Sequence, residues 1–176
     1  GDFSDKLFIE RYNSDLASNL GNLVNRIHTL VSQNNVTDLP TGQAGFTFDK
    51  HSEVYREKVD KTWKKYVADM DEYNLHEAIF HVWKLIDFAN KMMEEEKPWA
   101  LMKENMEKGR AVLCNLLEVL RHISIMIGPF IPEASAKIRR QIGLPVEVDP
   151  EKEKGWGVVV GWKSLGEQEI MFPRIE

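Results

Sequence analysis

The stretch RYNSDLASNLGNLVNR, residues 11–26, sets the pattern on which the rest of the chain is arranged. Within and around it, apolar residues recur at steps of three and four, which place them on one face of an α-helix: Phe8, Tyr12, Leu16, Leu20, Leu23, Ile27, Leu30 and Val31. We expect a single helix that begins at Ser4 as its N-cap and ends near Gln33. A stripe of this kind indicates a helix packed against other helices.

The same stretch is rich in asparagine, a poor choice for a helix interior because its short amide competes for the backbone. The four asparagines are Asn13, Asn19, Asn22 and Asn25. Asn22 and Arg26 are four residues apart, so they stand one turn above each other on the same edge of the helix. An amide and a guanidinium at the border of a packed face can recognise a planar polar group, but an ordinary surface pair has the same spacing.

Five further helices are predicted from apolar periodicity and from stop signals. Their expected bounds are 49–70, 74–96, 98–107, 110–127 and 132–141. Asn34 to Phe48 reads as a loop because it contains paired asparagines, a proline and glycines. Asn74 and Glu77 form a capping-box-like pair, and Gly143 is placed to close the last helix. Pro98 suits the first position of a new helix and breaks the chain after Lys97.

The character of the sequence changes after residue 145. Residues 147–154 are charged and turn-like, 156–162 can form a short extended segment, and 165–176 have no helical stripe. The fold class is therefore all-α: a bundle of about five or six helices over residues 1–145, with an irregular C-terminal arm over residues 146–176. Because Trp156, Trp162 and Phe172 are large apolar groups for an irregular arm, we expect the arm to pack back on the bundle.

Composition restricts the classes of function. The 176 residues suit one domain, and 43% hydrophobic with 29% charged residues is typical of a globular protein. A net charge of −5 argues against electrostatic binding of nucleic acid over the whole protein surface, so any contact with nucleic acid must be local. No apolar run approaches the ~18 residues of a membrane span, and no signal peptide is visible, which favours a cytoplasmic location. The chain begins with Gly1, and we expect it to be a fragment with further sequence upstream.

No catalytic motif is visible in the sequence. It has no glycine-rich phosphate loop, no His-Glu-x-x-His and no spacing that suggests a triad. The single cysteine, Cys114, excludes a disulfide or a cysteine-rich zinc site, and the spacing of His76 and His81 favours structural roles over metal binding. The run Glu94-Glu95-Glu96 is interpreted as a solvated helix end. Four lysines of the second helix are interpreted as a solvated face, with phosphate contact as the alternative: Lys58, Lys61, Lys64 and Lys65. These features favour a binding module over a self-sufficient enzyme.

Four motifs, in order along the chain, resemble those of one family. RYNSDL at 11–16 followed by GNLVNR at 21–26 resembles the opening helix of the anticodon-binding domain of methionyl-tRNA synthetases. ANKMMEEEKPW at 89–99 resembles that family's second signature, although Met92 or Met93 stands where an aromatic residue is expected. PFIPEAS at 129–135 is similar to a turn in related class I synthetases, and MFPRI at 171–175 resembles the segment that closes the family's core.

The resemblance implies a domain that reads the CAU anticodon of tRNA(Met). In that family an Asn and an Arg one turn apart, with the Trp that follows the Pro, hold the first anticodon base; by motif match these are Asn22, Arg26 and Trp99. It also implies that an upstream domain carries out ATP-dependent methionylation, and that ATP, magnesium and any zinc belong there. The fragment alone would be non-catalytic, with no cofactor, metal or catalytic residue of its own. Its expected partners are the tRNA anticodon loop and that catalytic domain, which the arm would partly face, and neither a membrane nor DNA.

The chemistry of these residues is compatible with that role. Unpaired anticodon bases can be splayed out, stacked on aromatic rings and read on their hydrogen-bonding edges. Stacking on Trp99 would not discriminate between bases, so the amide of Asn22 and the fork of Arg26 would have to. The alternatives are an inter-helix tryptophan and a plain surface pair. At the level of the whole chain, the alternatives are the anticodon domain of another class I synthetase and a protein-interaction helical bundle.

Overall fold

The computed structural model describes residues 2–36, 50–159, 162 and 164–176. The described part contains helices and no strand, which confirms the all-α prediction. The helices are α1 (Asp2–Arg11), a π-helical segment (Tyr12–Gly21), α2 (Asn22–Gln33), α3 (Glu53–Asp71), α4 (Leu75–Glu96), α5 (Pro98–Glu104), α6 (Met106–Ile127), α7 (Pro132–Ile142) and α8 (Pro150–Glu153). No helix of this described part is long and apolar enough to cross a membrane.

The first predicted helix is present from end to end but is not one regular α-helix. It begins at Asp2, so Ser4 lies inside it and the predicted N-cap is wrong. The π-helical turns between α1 and α2 contain more residues than α-helical turns, and the side-chain register shifts there. As a result Ala17 is buried while Leu16 is only half-buried, whereas the apolar face of α2 is buried as expected. The predicted loop at 37–48, the Ser4 and Phe8 side chains, and part of the extended segment at 160–161 lie outside the described residues.

The ends of the other helices follow local chemistry. The left-handed Lys97 separates α4 from α5, and Pro98 occupies the first position of α5. The helix α6 begins four residues earlier than predicted because Asn105 caps it, accepting a hydrogen bond from the Lys108 amide at 3.2 Å. The capping box predicted at Asn74 is wrong, since the Asn74 side chain makes no capping bond to α4. Gly143 ends α7 at φ +80°, as predicted.

The helix α6 runs through the centre of the bundle and is buried along nearly its whole length. Its apolar side chains join those of α2, α3, α4 and α7 in one core. Its C-terminal half also contains three ionisable residues with no exposed side-chain surface, namely Glu118, Arg121 and His122. The helical periodicity predicted only apolar residues in the core here, so this buried polar cluster was not expected.

The buried cluster holds the start of the C-terminal arm. Arg121 forms a bidentate pair with Glu118, with Nη2 to Oε1 at 2.5 Å and Nε to Oε2 at 3.0 Å. It also donates to the carbonyl oxygens of Glu153 and Gly155, while the amide of Gly157 donates to Glu118. The backbone that follows α8 is therefore attached to α6 through side chains that are fully out of water.

Further along the arm, apolar side chains enter the bundle. Trp162 is 3% exposed and donates its indole N–H to the carbonyl of Ile142 at 2.6 Å, and Met171 is 5% exposed. Trp156 and Phe172 pack against the same core. The arm thus contacts both α6 and the end of α7 before it reaches the first helices of the chain.

Candidate nucleic-acid interface

The polar edge of the first helices faces α4 and the arm, and three of its four asparagines are used to hold the structure together. Asn13 exchanges two hydrogen bonds with the backbone of Ile175, at 2.8 and 2.9 Å. Asn19 donates to Asp87 at 2.9 Å and accepts from Asn90 at 2.7 Å. Asn25 accepts from Gln168, again in the arm. These amides explain why asparagine is frequent in a stretch whose helical propensity would favour other residues.

Asn22 differs from the other three. It is exposed, and within the described part of the chain its side chain has no hydrogen-bond partner. It lines a cavity of about 450 Å³ between the π-helical segment and the arm, where Gly21, Met171 and Phe172 also lie. Because both its amide donor and its amide acceptor are available at the surface, Asn22 can bind a polar ligand without breaking an internal contact.

Arg26 and Trp99 come together although they are far apart in sequence. The Arg26 guanidinium carbon lies 5.4 Å from the centroid of the Trp99 ring, the geometry of a cation–π contact. Trp99 is 36% exposed, because it follows Pro98 at the start of α5 and projects from the corner between α4 and α5. Arg26 and Trp99 therefore form a single surface, and Asn22 stands one helical turn from Arg26.

A carboxylate completes this arrangement. Glu94, near the end of α4, accepts a hydrogen bond from Arg26 Nη1 at 2.7 Å. The sequence suggested only a solvated acidic run here, and Glu94 is indeed exposed, but its pairing with Arg26 was missed. The partner is 68 residues away, and no local pattern indicates it. The pair holds the guanidinium in place while other donors of its fork remain available.

The remaining candidate residues from the sequence have ordinary surroundings. His81 lies 2.8 Å from Asp69 and joins α4 to α3, and His76 is exposed. Among the residues that the structure describes, no three His, Cys, Asp or Glu side chains are grouped as metal ligands. Three of the four lysines on α3 are exposed, but the groove beside them also contains acidic residues, so it has no single sign of charge.

Comparisons with known proteins point in one direction. Residues 40–162 match the family model described as the anticodon binding domain of methionyl tRNA ligase. The chain is 33% identical over 178 residues to the methionine–tRNA ligase of Caldanaerobacter subterraneus, and 35% identical over 180 residues to that of Clostridium perfringens. Both alignments cover the whole chain but only 27% of the relative's length.

Solved structures agree with these relatives. The free-state methionyl-tRNA synthetase of Mycobacterium tuberculosis superimposes with a TM-score of 0.78 at 25% identity. The match covers 98% of this chain and 35% of that one. The arrangement of helices and arm described above is therefore one that also occurs in a much longer polypeptide.

Proposed function

This chain belongs to the family of methionyl-tRNA ligase anticodon-binding domains, and from that premise we propose that it reads the CAU anticodon of tRNA(Met) through Asn22, Arg26 and Trp99. The observation that carries the proposal is the contact of Arg26 with Trp99 beside the amide of Asn22, which has no hydrogen-bond partner among the described residues. Aromatic stacking holds an unpaired base, and the polar groups at the edge of the ring select it.

The donors and acceptors of the three side chains suit cytosine. Cytosine presents two acceptors, N3 and O2, and one amino donor. The guanidinium of Arg26 only donates, and it matches the acceptors; the amide oxygen of Asn22 can accept from the amino group. Uracil would instead present an N3–H toward Arg26, so two donors would face each other. A mismatch of this kind costs about 1–3 kcal/mol per base.

We propose that methionylation of tRNA takes place in a domain outside this chain, because the chain spans about 27% of the length of the relatives it matches. ATP with magnesium, and any zinc, would bind to that domain, which would also be a direct partner of residues 146–176. The bundle of residues 1–145 would present the anticodon site. A cytoplasmic location accords with a tRNA partner.

The test uses the full-length ligase that contains this domain. We expect Trp99→Ala to lower kcat/KM for tRNA(Met) by about 5- to 150-fold, the equivalent of a lost stacking energy of ~1–3 kcal/mol. Methionine-dependent ATP–pyrophosphate exchange should change by less than about twofold, because that step does not use the anticodon. Trp99→Phe should restore most of the loss, since phenylalanine retains a stacking face.

Asn22→Ala and Asn19→Ala form the matched pair for base selection. Asn22→Ala should reduce the preference for CAU over UAU stem-loops with little change in the urea-unfolding midpoint. Asn19→Ala should lower that midpoint, because Asn19 holds Asp87 and Asn90. A parallel fall of both reactions in Trp99→Ala, or no fall in either, would show that Trp99 does not read the anticodon and would favour the interaction-bundle alternative.

A further inference from the structure

A second cavity lies away from the Arg26–Trp99 surface, where the first turns of α3 and α6 meet the end of α4 and α5. Its volume is about 350 Å³, within the range of pockets that bind small molecules. Its walls are largely apolar and include Val54, Met92, Leu101 and Val112. Apolar walls of this kind suit a flat ring, which buries much surface for little loss of conformational freedom.

Two buried polar atoms belong to residues that line this cavity and have no partner in the described part of the chain. They are the hydroxyl of Tyr55, a residue 2% exposed, and the Oδ1 of Asn115, a residue 1% exposed. Tyr66 shows the usual outcome, because its buried hydroxyl donates to the carbonyl of Met126 at 2.7 Å. Buried polar groups left without a partner destabilise a fold, so two at one cavity indicate groups kept for a ligand.

The chemistry of these atoms restricts the ligand. Asn115 Oδ1 can only accept a hydrogen bond, so the ligand must offer an N–H or O–H donor. Burial, with a smaller effect of the nearby Glu96 carboxylate, raises the pKa of Tyr55, so its hydroxyl stays protonated and can donate to a ring nitrogen. On their Watson–Crick edges, adenine and cytosine each carry an amino donor beside a ring-nitrogen acceptor, whereas uracil and hypoxanthine lack the amino group and guanine has the donor N1–H beside its amino group.

The rim of the cavity is charged. Lys50 and Lys108 line it and are exposed, and Glu96 is the acidic residue beside them. Two ammonium groups at the mouth of an apolar pocket can bind the phosphate of a nucleotide whose base lies inside. The charges therefore complement a nucleotide better than a neutral ligand.

We propose that this cavity binds a nucleotide with an amino-bearing base, adenine or cytosine, with the base against Tyr55 and Asn115 and the phosphate toward Lys50 and Lys108. The nucleotide can come from the free nucleotide pool or from an RNA strand. The cavity is distinct from the Arg26–Trp99 surface. Residues two apart on an α-helix project about 200° from each other, so Glu96 faces the cavity while Glu94 faces Arg26. The inference does not depend on the proposed anticodon role.

The test is a ¹⁵N–¹H NMR titration of the 176-residue chain with AMP, CMP, UMP and IMP. We expect AMP and CMP to shift amide signals around Tyr55 and Asn115, with Kd values on the order of millimolar or tighter, and UMP and IMP to bind at least about tenfold more weakly. Tyr55→Phe and Asn115→Leu should each weaken AMP binding by about tenfold or more. Tyr66→Phe is the matched control, because it removes a buried hydroxyl away from the cavity and should leave AMP affinity unchanged.

Stability provides a second readout that keeps the variants interpretable. Tyr55→Phe should leave the urea-unfolding midpoint of the free chain unchanged or higher, since it removes a hydroxyl with no partner among the described residues, whereas Tyr66→Phe should lower it. No binding of AMP or CMP up to about 10 mM, or binding that Tyr55→Phe and Asn115→Leu leave intact, would overturn the proposal.

A CAU stem-loop separates the two sources of nucleotide. If the stem-loop displaces AMP and binds more weakly to Tyr55→Phe, the cavity takes a nucleotide of the RNA. If AMP and the stem-loop bind together, the cavity takes a free nucleotide. Trp99→Ala should leave AMP binding intact in both cases, so failure of the anticodon proposal and failure of this one give different results.

Discussion

The centre of the molecule contains three ionisable side chains, those of Glu118, Arg121 and His122. Removal from water disfavours the charged form of each of them. Burial alone would raise the pKa of Glu118, but hydrogen bonds from His122 and Arg121 lower it to about 2. Burial lowers the pKa of His122. The Trp63 indole N–H donates to His122 Nδ1 at 2.8 Å, which leaves the ring proton on Nε2, directed at Glu118. The cluster therefore contains a carboxylate, a guanidinium and a neutral imidazole.

This arrangement makes the stability of the protein depend on pH. The pKa of His122 is lower in the folded chain, so below about pH 6.5 the unfolded chain binds a proton that the folded chain does not, and stability falls as pH falls. The contribution of Glu118 is present above about pH 4.5, its unfolded pKa, and is lost as pH falls from there toward about 2. On acidification, His122 is therefore affected first.

His122→Gln isolates the first of these two effects. Glutamine can accept from Trp63 and donate to Glu118 but does not titrate, so the loss of stability between about pH 6.5 and 5 should decrease, by up to about 1.4 kcal/mol per pH unit. The measurement is the free energy of unfolding in urea at several pH values. The exposed His76 supplies the control, and His76→Gln should retain the wild-type slope. Equal slopes in all three proteins would show that His122 is not the titrating group.

At the scale of elements, the junction of α7 with the arm depends on one glycine. Gly143 has φ +80°, and a Cβ built there would lie 1.7 Å from the carbonyl oxygen of Ser164. In Gly143→Ala, the alanine would have to adopt a disfavoured positive φ, and its Cβ would displace the arm at Ser164. We therefore expect this variant to lower the free energy of unfolding by about 2 kcal/mol or more. Gly128→Ala, at φ −51° with its nearest atom at 3.2 Å, should cost about 1 kcal/mol or less. Similar losses in both variants would contradict this reading of the junction.

The elements that the sequence predicts correctly are those with local causes. Pro98, Pro132 and Gly143 act through their own backbone preferences, and the start of α5 and both ends of α7 fall where these residues place them, whereas α5 ends at Glu104 instead of the predicted 107. The π-helical segment was missed because its apolar and polar residues still fit a 3.6-residue period, while the groups that hold it come from α4 and the arm.

The candidate site also has a part that local sequence predicts and a part that depends on tertiary contacts. Trp99 could be placed at a helix start from Pro98, and Asn22 and Arg26 on one helix edge from their spacing. Their relation to each other could not be predicted, because Arg26 meets Trp99 and Glu94 only through tertiary packing. The resemblance to a family supplied the association that the local pattern lacks. The roles of these three residues stay predictions until the variants are measured.

At the scale of the whole molecule, the arm runs back across the bundle to the π-helical segment and to α2, which carries the candidate residues Asn22 and Arg26. The amide of Gly157 binds α6, the amide of Glu169 binds Gln141 near the end of α7, and the amide of Ile175 binds Asn13. Along this path Gln168 donates to Asn25, one turn from Asn22. The arm therefore contacts both the buried polar cluster and the polar edge of the first helices. We predict that the arm links the surface formed by Asn22, Arg26 and Trp99 to any domain that the arm contacts.

Hydrogen exchange measures how strongly the amides of the arm are protected by their contacts with the bundle. In the described part of the arm, four amides donate to the bundle: those of Gly157, Gly166, Glu169 and Ile175. We expect them to exchange at least about tenfold more slowly than the amide of Glu167, for which the described part shows no acceptor. Asn13→Ala should accelerate exchange at Ile175 alone, because it removes that acceptor while the attachment at Gly157 remains. Uniformly fast exchange from 150 to 176 would mean that the arm is not held on the bundle in solution, and that it could not transmit a change between the two.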